Sequence, residues 1–397
     1  MISNKIKLTA LTTFIALLFT ATVFSQELTT KAAVSVITCG PGDQLYSTFG
    51  HSAFRVYDFS IGLDKVYNYG TFDFNAPNFY LNFVKGKLTY QLSTSNFSWF
   101  LQEYQYSNRW VKTQDLNLTP DEVKEVFAFL ENNATPEHRD YQYDFFFDNC
   151  STKIEAVLKT VLKGKIEFSN NHITTEKTHR DLIADYTKTQ PWGKFGIDLA
   201  LGSVIDRKAT KDEYKFLPDY IFQALENATI NTNGVKQPLV KKEQQILREE
   251  PTNKPLISLG PTPFNIMLSL SILIIFITYK NFKHKKRSKF IDFSLFFLTG
   301  IIGVAVLLMW FATSHTATYK NLNFLWAFAP NFLISFYLFK TTFPNWIYYY
   351  LKIILALLAL MLGCWIFKIQ VFNLAFLPFI IALGIRYLFL LRYKPSK

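Results

Sequence analysis

The sequence is poor in the residues that build most cofactor and metal sites. Of 397 residues only three are cysteines and six histidines. The histidines and cysteines do not fall at ligand spacing, and no EF-hand loop occurs, so no metal site is expected. Gly-rich phosphate loops are missing, so no nucleotide cofactor is expected either. No cysteine follows the N-terminal apolar run, which removes the basis for a lipoprotein anchor there. Acidic residues are outnumbered, giving a net charge of +12. The densest basic run, Lys280 to Lys289, directly follows an apolar span and reads as a topology signal. Nucleic acid is therefore not an expected partner.

What is abundant is hydrophobic sequence, unevenly distributed. Lys5 and Lys7 precede an apolar run from Leu8 to Phe24, and Val23 and Ser25 are consistent with cleavage before Gln26, so residues 1–25 read as a signal peptide. A mixed, Tyr- and Phe-rich segment, 26–230, follows. Residues 231–259, with Lys241, Lys242, Arg248, Glu249 and Glu250 and no apolar periodicity, read as an exposed helix or linker. From residue 260 onward come five apolar runs, near Pro261–Tyr279, Phe293–Ala312, Leu322–Phe339, Trp346–Phe367 and Val371–Leu391, each approaching the length that crosses hydrocarbon. With the first domain exported, the Lys280–Lys289 cluster falls inside, as do Lys340 and Arg392. The expected placement is a bacterial inner membrane, multi-pass, with the N-terminal domain periplasmic and the C-terminus cytoplasmic. Lys352 and Arg386, near inner ends of spans, are expected to snorkel. The scarcity of charge within the spans argues against an ion pathway.

Two residues of the exported segment carry candidate chemistry. AVSVITCGPGDQLYSTFGHSAFRV reads as a strand, a Cys39-Gly-Pro-Gly turn and an irregular link, then a second strand opened by Gly50-His51. Its hairpin partner is expected in KVYNYGTFDF, and counting back from the Gly62 loop sets Thr71 to Asp73 opposite His51. Asp73 would then fix the imidazole tautomer, with Asn68 and Asn75 as further candidates by the same count. Leu118-Thr-Pro-Asp-Glu predicts a capped helix from Pro120 to Asn132. Downstream, YQYDFFFDNCSTKIEAVLKTVL starts a helical pattern at Cys150. A cysteine at a helix N-terminus is favoured as thiolate, and a histidine facing it would make a thiol-hydrolase pair with backbone amides for an oxyanion. The competing reading joins Cys39 to Cys150 as a disulfide in an oxidising compartment, in a non-catalytic assembly or adhesion protein. Cys364 lies in an apolar span and reads as packing.

At these residues, TCGPGDQLYSTFGHSAFRV, VYNYGTFDF, FFFDNCST, THRDLI and PWGKFGIDLALGSVIDR with FLPDYI, the sequence resembles the Lnb N-terminal periplasmic domain family. The resemblance covers most of Val34 to Leu225, and SHTATYKNLNFLW in the membrane half is similar to tails in that family. Its order, His first and Asn-Cys later, is similar to circularly permuted papain-like, NlpC-like thiol hydrolases. The resemblance implies Cys150 as nucleophile, His51 as base and Asp73 as orienting group. The expected fold is thus α+β: a permuted papain-like domain with a helical extension, followed by an α-helical membrane bundle of five spans. The expected activity is hydrolysis or acyl transfer on an amide or ester of the cell envelope, a peptidoglycan peptide or a lipid. Membrane lipid and a membrane protein are the expected partners. Trp192, Phe195 and Phe216 read as the core of the helical extension, and His315 and Asn321 as an outer loop within reach of the exported domain.

Overall fold

The computed structural model describes residues 27–251 and 261–393; the expected signal peptide lies outside the described residues. A seven-stranded antiparallel sheet organises the first half. Its strands are β1 (Ala33–Cys39), β2 (His51–Asp58), β3 (Leu63–Thr71), β4 (Thr89–Asn96), β5 (Val111–Leu116), β6 (Asp140–Gln142) and β10 (Val240–Leu247), in the spatial order β10-β5-β1-β2-β3-β4-β6. A smaller sheet joins β7 (Ile166–Glu167), β8 (Thr229–Thr232) and β9 (Val235–Pro238).

Both faces of the large sheet are covered, so β1 and β2 are buried along nearly their whole length. On one side Val34, Val36, Phe54, Val56 and Tyr67 pack with Val126 and Leu130 of α3 (Pro120–Asn133) and with Ile154 and Leu158 of α4 (Cys150–Val161). Ile221 and Leu225 of α7 (Pro218–Glu226) complete this core. On the other side Ile37, Cys39, Ala53 and Val66 meet Phe97, Phe100 and Tyr104 of α2 (Phe97–Tyr106). A short helix, α1 (Phe79–Val84), sits between β3 and β4. Helix α3 starts where its capping signal lies: Thr119 accepts from Glu122 N at 3.3 Å while Glu122 accepts from Thr119 N at 2.9 Å, with Pro120 at the first position. Such a cap stabilises by about 1 kcal/mol.

Residues 231–247, expected as part of a linker, are strands instead. β10 closes the edge of the sheet against β5, with register shifts at Lys242 and Leu247. Its alternation is hidden because the strand lies at the edge, exposing Lys241, Lys242 and Glu243.

The helical extension, α5 (His179–Tyr186) and α6 (Pro191–Ala200), leads to the membrane half. There α8 (Pro263–Lys283), α9 (Lys289–Phe311) and α11 (Asn345–Ile366) are long and apolar enough to cross a membrane. The expected span at Leu322–Phe339 is broken into a 3-10 turn, Leu322–Leu325, and the seven-residue α10 (Asn331–Tyr337), while α12 (Phe376–Arg392) has 17 residues. Arg386 does not snorkel. It is fully buried and pairs with Asp292 of α9 at 2.7 Å, and its guanidinium also reaches Thr278 and Asn281. Arg287 adds a second contact to Asp292 at 3.3 Å. A buried charge of this kind persists only when paired.

Candidate active site

Helix α4 starts at Cys150 because Asn149 turns the chain. The Asn149 side chain accepts from the amides of Ser151 and Thr152 at 2.8 and 2.9 Å, and its own amide donates to Phe145 O and Phe216 O, both at 2.7 Å. Asn149 is therefore tied both to the aromatic segment that precedes the helix and to Phe216, far downstream. One expectation changes as a result. Two of the first-turn amides near the sulfur are already occupied, and the Cys150 amide is the one that Asn149 leaves.

β2 delivers His51 to this helix end, where the ring and the Cys150 thiol shift each other's titration. The amide of Ser52, the next residue along β2, also favours the thiolate. Ser52 and Ser151 hydroxyls lie 3.3 Å apart beneath the pair. On the other side of the ring, Nε2 is 2.5 Å from Asn68 Oδ1. An amide oxygen only accepts, so Nε2 carries a proton and Nδ1 is left for the sulfur.

Asp73 does not take the orienting role. It lies beyond the end of β3, exposed, and accepts from its own turn at Asn75 N, 2.8 Å away. The registry explains this: Phe54 pairs with Tyr67, so one further step sets Asn68 across from Ala53, on the face His51 shares. The count from the Gly62 loop ran too far along β3. Next to this position Gly70 has φ +92°, and a Cβ there would meet Tyr143 at 3.3 Å and the Cys150 Cβ at 3.8 Å. A glycine is needed both for the backbone turn and for the room beside the sulfur.

The two titratable groups shift toward an ion pair. Burial by itself would raise the Cys150 thiol, but the charge of His51, the hydrogen bond from its ring, the Ser52 amide and the Ser151 hydroxyl outweigh it, and the thiol lies below its ordinary value. Burial pulls His51 down, yet the Cys150 charge and the bonds to Cys150 and Asn68 leave it above its ordinary value. Cys39 behaves in the opposite way: burial pushes its thiol well up despite Arg109 nearby. Cys39 and Cys150 are both free thiols, so the disulfide of the competing reading is not formed.

The sequence reading missed Tyr141 and Tyr143. The Tyr141 hydroxyl is buried with no hydrogen-bond partner among the described residues, and it lies 3.9 Å from the Cβ position of Gly70. Burial, and then the Cys150 charge, keep it protonated as a donor. Tyr143 stacks on Tyr90 at 4.4 Å; Tyr90 meets Phe72 at 5.3 Å, and Phe72 meets Phe79 of α1 at 5.8 Å. The alternating aromatics of YQYDFFF hint at such a wall, but their partners come from other strands.

The membrane half is joined to this domain by a polar seam. Arg180 pairs with Asp198 at 3.0 Å and Asp206 at 2.8 Å, all buried. Asn373 donates to Asp198 at 2.8 Å, and the Val371 amide to Asp206 at 3.1 Å. Asn321 donates to Leu199 O and Ala200 O, and a Cβ on Gly202 would collide with Tyr319 O at 1.9 Å. Thr316 donates to Asp144 at 2.6 Å, six residues before Cys150, and the His315 ring contacts Phe83 O at 3.0 Å. Of the aromatics expected to fill the helical core, Phe216 does so. Phe195 instead packs on Phe376 at 4.6 Å, and Trp192 donates to Pro261 O.

No curated protein and no solved structure matches the chain. Two family descriptions do, one in each half of the chain. Residues 20–184, which contain the Cys150–His51 pair, match the Lnb N-terminal periplasmic domain, and residues 255–397 match the Lnb transmembrane domain. The chain is a membrane-anchored periplasmic protein and belongs to the Lnb family.

Proposed function

We propose that this protein is a cysteine-dependent acyl hydrolase or acyltransferase acting on an ester or amide at the outer face of the bacterial inner membrane. The observation that carries this reading is the His51 ring, held by Asn68 on its far side, acting on the Cys150 thiol at the start of its helix so that the thiol is lowered and the imidazole raised. The Cys150 thiolate attacks the acyl carbonyl and an S–C bond forms. The carbonyl oxygen takes the negative charge, facing the Cys150 amide and the Tyr141 hydroxyl as donors. On collapse the bond to the leaving oxygen or nitrogen breaks, and His51 gives it the proton. Water or another nucleophile then passes its proton to neutral His51 and attacks the thioester, releasing the thiolate.

A lipid ester is favoured over a peptidoglycan peptide because the aromatic wall from Tyr143 through Tyr90 and Phe72 to Phe79 runs toward the helix that contacts His315 of the membrane half. The His-bearing strand precedes the Cys-bearing helix, an order that agrees with a circularly permuted papain-like domain. Five passes are proposed, α8, α9, the broken segment with α10, α11 and α12, with the C-terminus in the cytoplasm. The cationic Lys280–Lys289 connection supports that orientation.

The test is to incubate the purified full chain in nanodiscs with a phospholipid carrying a labelled acyl chain. A hydroxylamine-labile acyl adduct mapped to Cys150 is expected, absent in Cys150→Ser and reduced in His51→Ala. Labelled lipid turned over equally by Cys150→Ser would overturn the proposal.

A further inference from the structure

Helix α1 presents an apolar face that is left exposed among the described residues. Tyr80, Leu81, Phe83 and Val84 fall at i, i+1, i+3 and i+4, on one side of the helix, and are 79, 51, 52 and 57 % exposed. Phe74, on the adjoining turn, is 64 % exposed. The opposite side is anchored, with Phe79 buried among Phe72, Phe74 and Phe83 rings. Lys85 and Lys87 flank the helix and are exposed.

The position of α1 relative to the membrane is fixed by its C-terminal end. Ser314 N donates to Lys85 O at 2.8 Å, and Gly86 lies against His315, where a Cβ would come within 3.0 Å of its amide. Ser314 is three residues beyond the last residue of α9. The 23 residues of α9 rise about 34 Å, against roughly 30 Å of hydrocarbon. This end of α9 therefore sits at the interface, and α1, held by the Ser314–His315 loop that leaves it, sits beside it. Apolar and aromatic side chains at that level partition into the headgroup and acyl boundary, while flanking lysines reach anionic headgroups.

We propose that α1 is an interfacial helix that inserts Phe74, Tyr80, Leu81 and Val84 into the outer leaflet, so that the rim of the Cys150 site is held against lipid. The occupant is the bilayer surface, identified by continuity with the end of α9 and by the charge of Lys85 and Lys87. This inference does not rest on the thiol chemistry, and its readouts do not use activity.

The full chain in nanodiscs of phosphatidylethanolamine and phosphatidylglycerol carries the nitrobenzoxadiazole dye at Leu81→Cys, or at Tyr106→Cys on α2 as control, in a Cys150→Ser background. Lipids spin-labelled near the headgroup are expected to quench the dye at position 81 at least about threefold more than at 106. A spin label at Val84→Cys is expected to favour collision with oxygen over a nickel chelate, the reverse of position 106. Equal quenching at 81 and 106, or nickel-favoured collision at 84, overturns the proposal, and the Val84 reading stands if the Leu81 variant fails to fold.

Discussion

Cys39 and Cys150 are both buried thiols in the same sheet-and-helix core, yet they titrate in opposite directions. Cys39 ends β1, directly paired with His51 across the ladder, and its surroundings are Tyr104 and the hydrophobic cluster under α2. An arginine close by does not offset its desolvation. Cys150 stands at a helix start where the His51 charge, the Ser52 amide and the Ser151 hydroxyl all favour the thiolate. Burial sets the cost of the charge, and directed donors decide whether it forms.

The largest effect expected on this contrast is at Cys150 itself. Cys150→Ser should lower turnover of a labelled phospholipid by about three orders of magnitude or more, as loss of a nucleophile does, while the melting temperature stays close to that of the parent. Turnover assays with melting curves check this. Cys39→Ser, the matched change, should leave turnover within about twofold.

Next in size is the seam. Arg180→Ala leaves Asp198 and Asp206 buried without their guanidinium, and should destabilise the chain by about 3–5 kcal/mol, read by denaturation in detergent. It affects both halves, because Asn373 and Val371 of the membrane half bond to the same two carboxylates. If Arg180→Ala melted like the parent, the coupling between the halves would lie elsewhere.

The orienting group comes third. Asn68→Ala should slow acylation of Cys150 by about tenfold, in the range of one lost positioning hydrogen bond of about 1.4 kcal/mol, with Asp73→Asn unchanged within about twofold. The reverse ranking would return the role to Asp73. Tyr141→Phe, which removes one proposed oxyanion donor, is distinguished by its readout rather than its size. It should reduce turnover without altering the alkylation rate of Cys150, separating transition-state stabilisation from thiol activation.

Much of this site was legible in the sequence, and the failures have a common cause. Cys150 at a helix start and His51 at a strand start follow from local signals, the Asn149 cap and the Gly50 turn, which act within a few residues. Asn68 was misranked because the partner of a histidine on a strand depends on registry, and an error of two or three residues in the turn moves the candidate off the strand. Tyr141 could not be found, since the placement of its hydroxyl, unpartnered among the described residues, is visible only in three dimensions. β10 was hidden by its charges, which an edge strand tolerates, and Arg386 by the lack of any sequence sign that Asp292 would meet it across two helices. The seam residues sat in quoted motifs, but their partners lie more than a hundred residues away.

The central claim is that His51 holds Cys150 as a thiolate, and the pH dependence of alkylation tests it directly. Ionisation of Cys150 lies below the ordinary 9.0, so the iodoacetamide reaction of the wild type should reach its plateau at lower pH than a free thiol. In His51→Ala the largest lowering influence is gone and burial is unopposed by it, so the midpoint should move above 9.0. A wild-type profile that coincides with that of His51→Ala would contradict the account.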